Sequence, residues 1–169
     1  VIELTATPES GWEFDKWGGA ASGTDNPTQI TLTSKTSAIA IYKSLAPIIL
    51  DVDGVTLKAR PGTAAGTTHE ISGITYTVLD NTKLADWIST NKDLSKGVTT
   101  LVTNMKELFK DNSSFNSDIS SWVVSNVTTM EGMFDGASTF NKDISKWDTN
   151  KVTDMGRMFK SSTNFDQDI

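Results

Sequence analysis

Asn126-Val127-Thr128-Thr129-Met130-Glu131-Gly132-Met133-Phe134-Asp135-Gly136, running on through Phe140, Asp143-Ile144 and Trp147, recurs on both sides of itself. Val102-Thr103-Asn104-Met105 to Phe109 and Val152-Thr153-Asp154-Met155 to Phe159 repeat its opening at a spacing of 25 residues. Phe115, Phe140 and Phe165 keep that interval, as do Asp118, Asp143 and Asp168, Ile119, Ile144 and Ile169, and the pair Trp122 and Trp147. A repeat held at the level of single side chains means that one small unit is copied. Such a unit cannot bury its apolar face alone, so the copies must bury it against one another.

Within each copy the apolar spacing changes character. Val127, Met130, Met133 and Phe134 sit at i, i+3, i+6 and i+7, the spacing of one helical face, and Thr128 with Glu131 fits a capping box. Gly136 then stands where a helix would end. The sequence therefore predicts helix, loop with a buried Phe, and a short extended edge such as Asp143-Ile144-Ser145-Lys146-Trp147. A period of about 25 lies inside the roughly 20 to 29 residues of leucine-rich-type repeats. The expected class is α+β: a small β-rich module followed by a leucine-rich-repeat-like α/β solenoid fragment.

Upstream, three segments are expected: a β module over residues 1–44, a β-rich lead-in with a short capping helix over 45–98, and the repeats over 99–169, the third copy cut short before its Trp. In the first, Ile2, Leu4 and Ala6 alternate with polar residues. Trp12, Phe14 and, less regularly, Trp17 make a second strand, Ile30 with Leu32 a third, and Ala38, Ala40 and Tyr42 opposite Ile39 and Ile41 a fourth. Trp12, Phe14 and Trp17 read as core aromatics, with a sugar platform as the alternative. In the lead-in, Asp53-Gly54 suits a type I′ hairpin turn, residues 60–68 read as a loop, and Ile71 to Val78 as a strand. Leu84, Trp87 and Ile88 at i, i+3 and i+4 after Asn81 and Thr82 predict a helix over 82–90.

Composition narrows the function. The 169 residues carry a net charge of −6 with no Lys/Arg cluster, which argues against nucleic acid as a partner. The chain has no Cys, so disulfide scaffolds, thiolate nucleophiles and Cys-ligated metals are excluded. No apolar run reaches the roughly 18 residues of a spanning helix, and no signal peptide opens the chain, so an export address is expected outside these residues, on a larger surface protein.

Candidate chemistry is sparse. His69 is the sole histidine and reads as surface in a Thr-rich loop; His69-Glu70 lacks the second His of a zinc protease, and no nucleophile or phosphate-binding motif occurs. No catalytic residue is assigned and no enzyme is expected. Asp118, Asp143 and Asp168 form an acidic ladder, read as Asx turns with Ca²⁺ as the alternative that would offset stacked like charges. No cofactor besides that calcium is expected. Trp122 and Trp147 are either buried or an exposed strip for sugar rings. Lys106, Glu131 and Arg157 are expected in register along one face as binding residues.

Residues 126–148 closely resemble the BspA-like bacterial surface-protein repeat, a leucine-rich-repeat relative of mycoplasma and Bacteroidetes surface proteins, and the likeness covers roughly 99–169. Leu4-Thr5-Ala6-Thr7-Pro8, Gly11, Phe14, Trp17, Gly23 and Asn26-Pro27 look like the bacterial surface β-repeat related to internalin B-repeats. Both resemblances imply an extracellular location on the bacterial cell surface and a role in adhesion or host and surface interaction, as in large adhesins of gliding bacteria. The implied partners are a host or surface protein or a glycan. A carbohydrate-binding module using stacked Trp residues, a structural spacer, and a hydrolase whose acids lie in the repeats are the rival readings.

Overall fold

The computed structural model of the chain describes residues 1–31 and 37–169, so the expected role of Leu32 lies outside the described residues. Two compact units are present, Val1–Ala46 and Pro47–Ile169.

In the first unit, β1 (Ile2–Leu4) pairs antiparallel with β3 (Thr28–Ile30), and β2 (Trp12–Gly19) with β4 (Ala38–Ser44). The register of β2 against β4 shifts between Phe14 and Lys16. That bulge explains the odd spacing of the aromatics: one extra residue turns Trp17 onto the face of Phe14, with ring centroids 5.2 Å apart. Ala6, Trp17 and Ala21 form the buried centre, with Leu4, Phe14, Ile30, Ala38 and Ala40 packed on it. Asn26 ties the turn region to β1's extension, its amide accepting from Ala6 N and donating to Ala6 O.

The second unit begins with β5 (Ile48–Leu50) antiparallel to β6 (Leu57–Ala59). The expected hairpin is present, but its loop is longer than a two-residue turn. Asp51 Oδ1 accepts from Val52 N, and Asp53 Oδ1 accepts from Val55 N and Thr56 N, so both carboxylates are consumed in holding a six-residue connection. The two-residue turn lies elsewhere. Ser72 and Gly73, with φ of 53° and 79°, join β7 (Thr68–Ile71) to β8 (Ile74–Val78), as a type I′ hairpin requires. His69 is thereby in β7 opposite Tyr76, rather than in a loop. Helix α1 (Asn81–Ser89) follows, N-capped by Asp80, whose carboxylate accepts from Lys83 N. The short β9 (Gly97–Val98) then adds parallel to β8.

The expected α+β class with a leucine-rich-repeat-like α/β solenoid is overturned. Among the described residues the chain is mostly small β-sheets, α1 is its single α-helix, and every copy is built of turns where a helix was expected. The reason lies in two backbone positions per copy. Glu107, Gly132 and Arg157 share one register position and have φ of 54°, 60° and 59°; Asp111, Gly136 and Ser161 share the position four residues on, with φ of 59°, 77° and 60°. A left-handed residue every fourth position stops a right-handed helix from propagating. The i, i+3 apolar spacing is instead that of consecutive β-turns: Met133 N bonds Met130 O, Ala137 N bonds Phe134 O and Phe140 N bonds Ala137 O.

Alternate amides face the adjacent copy. Met105, Glu107, Phe109 and Asp111 donate to the carbonyls of Thr129, Glu131, Met133 and Asp135. Met130, Gly132, Phe134 and Gly136 donate in the same way to Asp154, Gly156, Met158 and Lys160. Asn104, Thr129 and Asp154 are linked by parallel bridges. Side chains follow this order. Phe109, Phe134 and Phe159 stack in one column at 5.7 and 5.5 Å, and Phe115, Phe140 and Phe165 in a second at 5.5 and 5.7 Å. The columns touch within each copy, Phe134 and Phe140 at 4.0 Å. Val102, Met105, Val127, Met130 and Met133 complete one apolar cluster with them, closed at the first copy by Leu84 of α1. Asn81 joins that closure, its Oδ1 accepting from Thr103 N and Asn104 N.

Candidate interaction face of the repeats

Because backbone amides and apolar side chains hold the copies together, the polar positions between them project outward in columns. Lys106 and Glu131 occupy one column and form an ion pair at 2.5 Å. Glu131 beside it raises the Lys106 ammonium above its ordinary value, chiefly by accepting its hydrogen bond. Arg157 is one position away from that column: it aligns with Glu107 and Gly132, and Gly156 stands above Glu131. The expected single row of Lys106, Glu131 and Arg157 is therefore two adjacent rows. Glu107 is itself paired with Lys110 at 2.8 Å, which lowers its carboxyl below the usual range. These pairs are solvent-exposed and contribute little to stability; what they provide is a patterned surface.

The acidic ladder is consumed locally. Asp118 Oδ1 accepts from Ser120 N at 2.9 Å, and Asp143 Oδ1 accepts from Ser145 N at 2.9 Å and Ser145 Oγ at 2.7 Å. These bonds favour the ionised form: the backbone bond from Ser120 lowers the Asp118 carboxyl, and the Ser145 hydroxyl followed by its amide lowers that of Asp143. Asp168 is exposed. Among the described residues no group of three or more acids or histidines is placed to share a metal ion. An Asn ladder runs beside the acids. Asn116 Oδ1 accepts from Asn141 N, and Asn141 Oδ1 from Asp166 N, so each side chain supplies an acceptor to the next copy. Nothing in the residue types distinguished this role from an isolated turn.

The two tryptophans part company. Trp122 is only 2% exposed and donates its indole N–H to Leu94 O at 3.0 Å, so it belongs to the core. Trp147 is half-buried, packs against the cluster near Phe134, and lines a small apolar hollow with Met155, Met158, Phe159 and Ile169. They do not form an exposed strip.

A further polar cleft lies where the β5–β6 loop faces the first two copies, lined by Asp51, Asp53, Lys58, Lys146 and Asp148. Asp51 and Lys58 are ion-paired across it. Asp53 is lowered to about 2, first by the Thr56 hydroxyl and amide, then by Val55 N. The cleft's charges are of both signs, and its carboxylates Asp51, Asp53 and Asp148 all accept local backbone hydrogen bonds.

The repeat segment and the end of the lead-in, residues 78–169, match the family described as Mycoplasma protein of unknown function, DUF285. The chain belongs to the DUF285 family. Residues 1–45 match the divergent InlB B-repeat domain, so the DUF285 segment is preceded by a second repeat type. Together these matches are those of a bacterial surface-protein repeat module of unknown function. No curated protein and no solved structure is significantly similar to this DUF285 chain. Among the described residues no helix is long and apolar enough to cross a membrane.

Proposed function

We propose that the chain is a segment of an exported, cell-surface bacterial protein that holds a partner through the outward side chains of its copies, without catalysis. The observation that carries this reading is the division of labour within each copy. Alternate amides and the Val, Met and Phe positions hold the stack, so Lys106, Lys110, Glu131, Arg157 and Lys160 are held outward and can vary without touching the core. The likeness of residues 126–148 to BspA-like surface repeats supports the location and the class of task, adhesion to a host or surface protein or a glycan. Many weak contacts on a rigid array add through avidity.

Beads coated with the chain and challenged with matrix proteins and a glycan panel should retain at least one of these classes. Reversing charge at Lys110, Arg157 and Lys160 together should cut retention by about tenfold while the fold is kept. Retention that ignores these changes, with deletion of residues 99–169 altering only reach, would replace adhesion by a spacer role.

A further inference from the structure

The first unit holds an exposed aromatic pair that its core does not use. Trp12 is 49% exposed and Tyr42 36%, although Phe14 and Trp17 beside them pack inward. With Thr7 and Glu9 they line an open basin of about 520 Å³. Both rings stand on the paired strands β2 and β4, where Trp12 faces Ser44 and Tyr42 faces Phe14. Their supports are fixed. Trp12 N bonds Glu9 O at 3.1 Å, Leu45 N bonds Gly11 O at 2.7 Å, and Tyr42 rests edge-on against Phe14 at 6.4 Å. Trp12 and Tyr42 make no ring contact with each other, so the basin between them is unfilled by either. Trp17 and Trp122 bond their indole N–H groups to carbonyls. Neither the Trp12 indole N–H nor the Tyr42 hydroxyl has such a partner among the described residues.

We propose that this basin is a saccharide-binding platform that takes a neutral pyranose, a hexose or N-acetylhexosamine unit of a glycan. A pyranose ring has an apolar C–H face and a rim of hydroxyls, and the basin offers the complement of both. The two aromatic faces cover the C–H surface, and the Glu9 carboxylate, Thr7 hydroxyl, indole N–H and phenol O–H meet the rim. A wholly apolar partner would leave the Glu9 carboxylate dehydrated and unpaired. Anionic glycans and phosphates are repelled by Glu9 in a chain of net charge −6. A cationic side chain could sit over the rings, but an open basin leaves it hydrated and the attraction small. The site lies wholly within Val1–Ala46 and does not depend on the repeat-face reading.

The test uses the full chain and the two exposed and buried indoles as separate reporters in amide-proton NMR. Chitotriose and mannotriose are the saccharide probes, heparin and a Lys-rich peptide the controls. One of the trioses should shift the Trp12 indole resonance and leave that of Trp17, held by Asp25 O, in place. Trp12→Ala and Tyr42→Ala should each weaken that binding by about tenfold or more, with the Trp17 resonance showing that the unit is still folded. Glu9→Gln, which keeps an acceptor and removes the charge, should change it by less than about threefold. Shifts produced by the Lys-rich peptide alone and lost in Glu9→Gln would assign the basin to cationic partners and overturn the proposal. An unmoved Trp12 resonance with every probe would overturn it as well.

Discussion

The two units bury hydrophobic side chains by different means. In Val1–Ala46, two-stranded ribbons enclose only Ala6, Trp17 and Ala21 among the described residues, and Trp12, Ile39, Ile41 and Tyr42 face solvent. The middle copy alone buries Val127, Met130, Met133, Phe134, Ala137, Phe140 and Ile144. Ile39 and Ile41 lie on the face away from the Trp17 centre, whereas Trp12 and Tyr42 share the face of Phe14 but extend beyond what so small a centre covers. A copy in the stack has neighbours on two sides, so nearly every apolar residue finds a partner. An exposed large apolar side chain therefore has a different meaning in the two settings: in the ribbons it lies outside a small centre, whereas in the third copy, with a neighbour on one side, Met155 is uncovered.

The largest effect is expected on removing the ring at the centre of the column. Phe134 meets Phe109, Phe140 and Phe159, so Phe134→Ala should cost about 3–5 kcal/mol in denaturant unfolding of the second unit. The methionines offer a matched pair. Met130 is fully buried and Met155, its counterpart, is 38% exposed. Met130→Ala should cost about 2–5 kcal/mol and Met155→Ala about 1 kcal/mol or less; equal costs would show that stacking is not what buries these positions. Completing the third copy with residues patterned on 145–150 and adding a fourth patterned on 126–150 should raise the cost at Met155 toward that at Met130.

Backbone positions give the next effect. A Cβ at Gly136 would lie 2.8 Å from Asp111 Oδ1 and 3.2 Å from Asp111 Cα, whereas one at Gly132 would meet the flexible Glu107 side chain at 3.3 Å and Asp135 Cβ at an ordinary 3.9 Å. Gly136→Ala should therefore destabilise by about 1–3 kcal/mol and Gly132→Ala by about 1 kcal/mol or less, in the same measurement. The smallest effect is electrostatic. Asp53 is held ionised to about 2, so its folded value is below the unfolded value near 3.9. The hydrogen bonds it accepts are fully present above about pH 4 and are lost as pH falls through 2. Amide resonances of Val55 and Thr56 should move in that window, and Asp53→Asn should abolish the movement.

Much of this was legible in the residues. The interval of 25 identified which side chains would meet, and the Val, Met and Phe positions share one cluster except Met155, which is exposed. Helix α1 was visible in Leu84, Trp87 and Ile88, though its cap is Asp80 and Asn81 is engaged by the first copy. The backbone of the copies was not legible. An i, i+3 apolar spacing is common to a helix and to a train of β-turns, and the deciding left-handed positions are occupied by Glu107, Asp111, Arg157 and Ser161 as well as by glycine. The I′ hairpin was missed for a related reason: Asp53-Gly54 has the better turn composition, yet its carboxylate bonds select a longer loop, and Ser72-Gly73 makes the tight turn. For the candidate site, the rows of charge were expected but their alignment was off by one residue at Arg157. Burial of Trp122 was set by Leu94 O, 28 residues away, a partner that spacing alone does not name.

Alternation of amides within a copy also governs how such a chain can change over generations. Odd-numbered donors from Met105 to Asp111, and their even-numbered equivalents from Met130 to Gly136, bond the neighbouring copy, while others close turns. Gaining or losing one residue there would exchange the two sets beyond that point and break the seam's bonds from there on, unless a bulge absorbed the change. The length changes that keep every one of these bonds are whole blocks of 25, which favours duplication or deletion of entire units as the route to a longer or shorter stack.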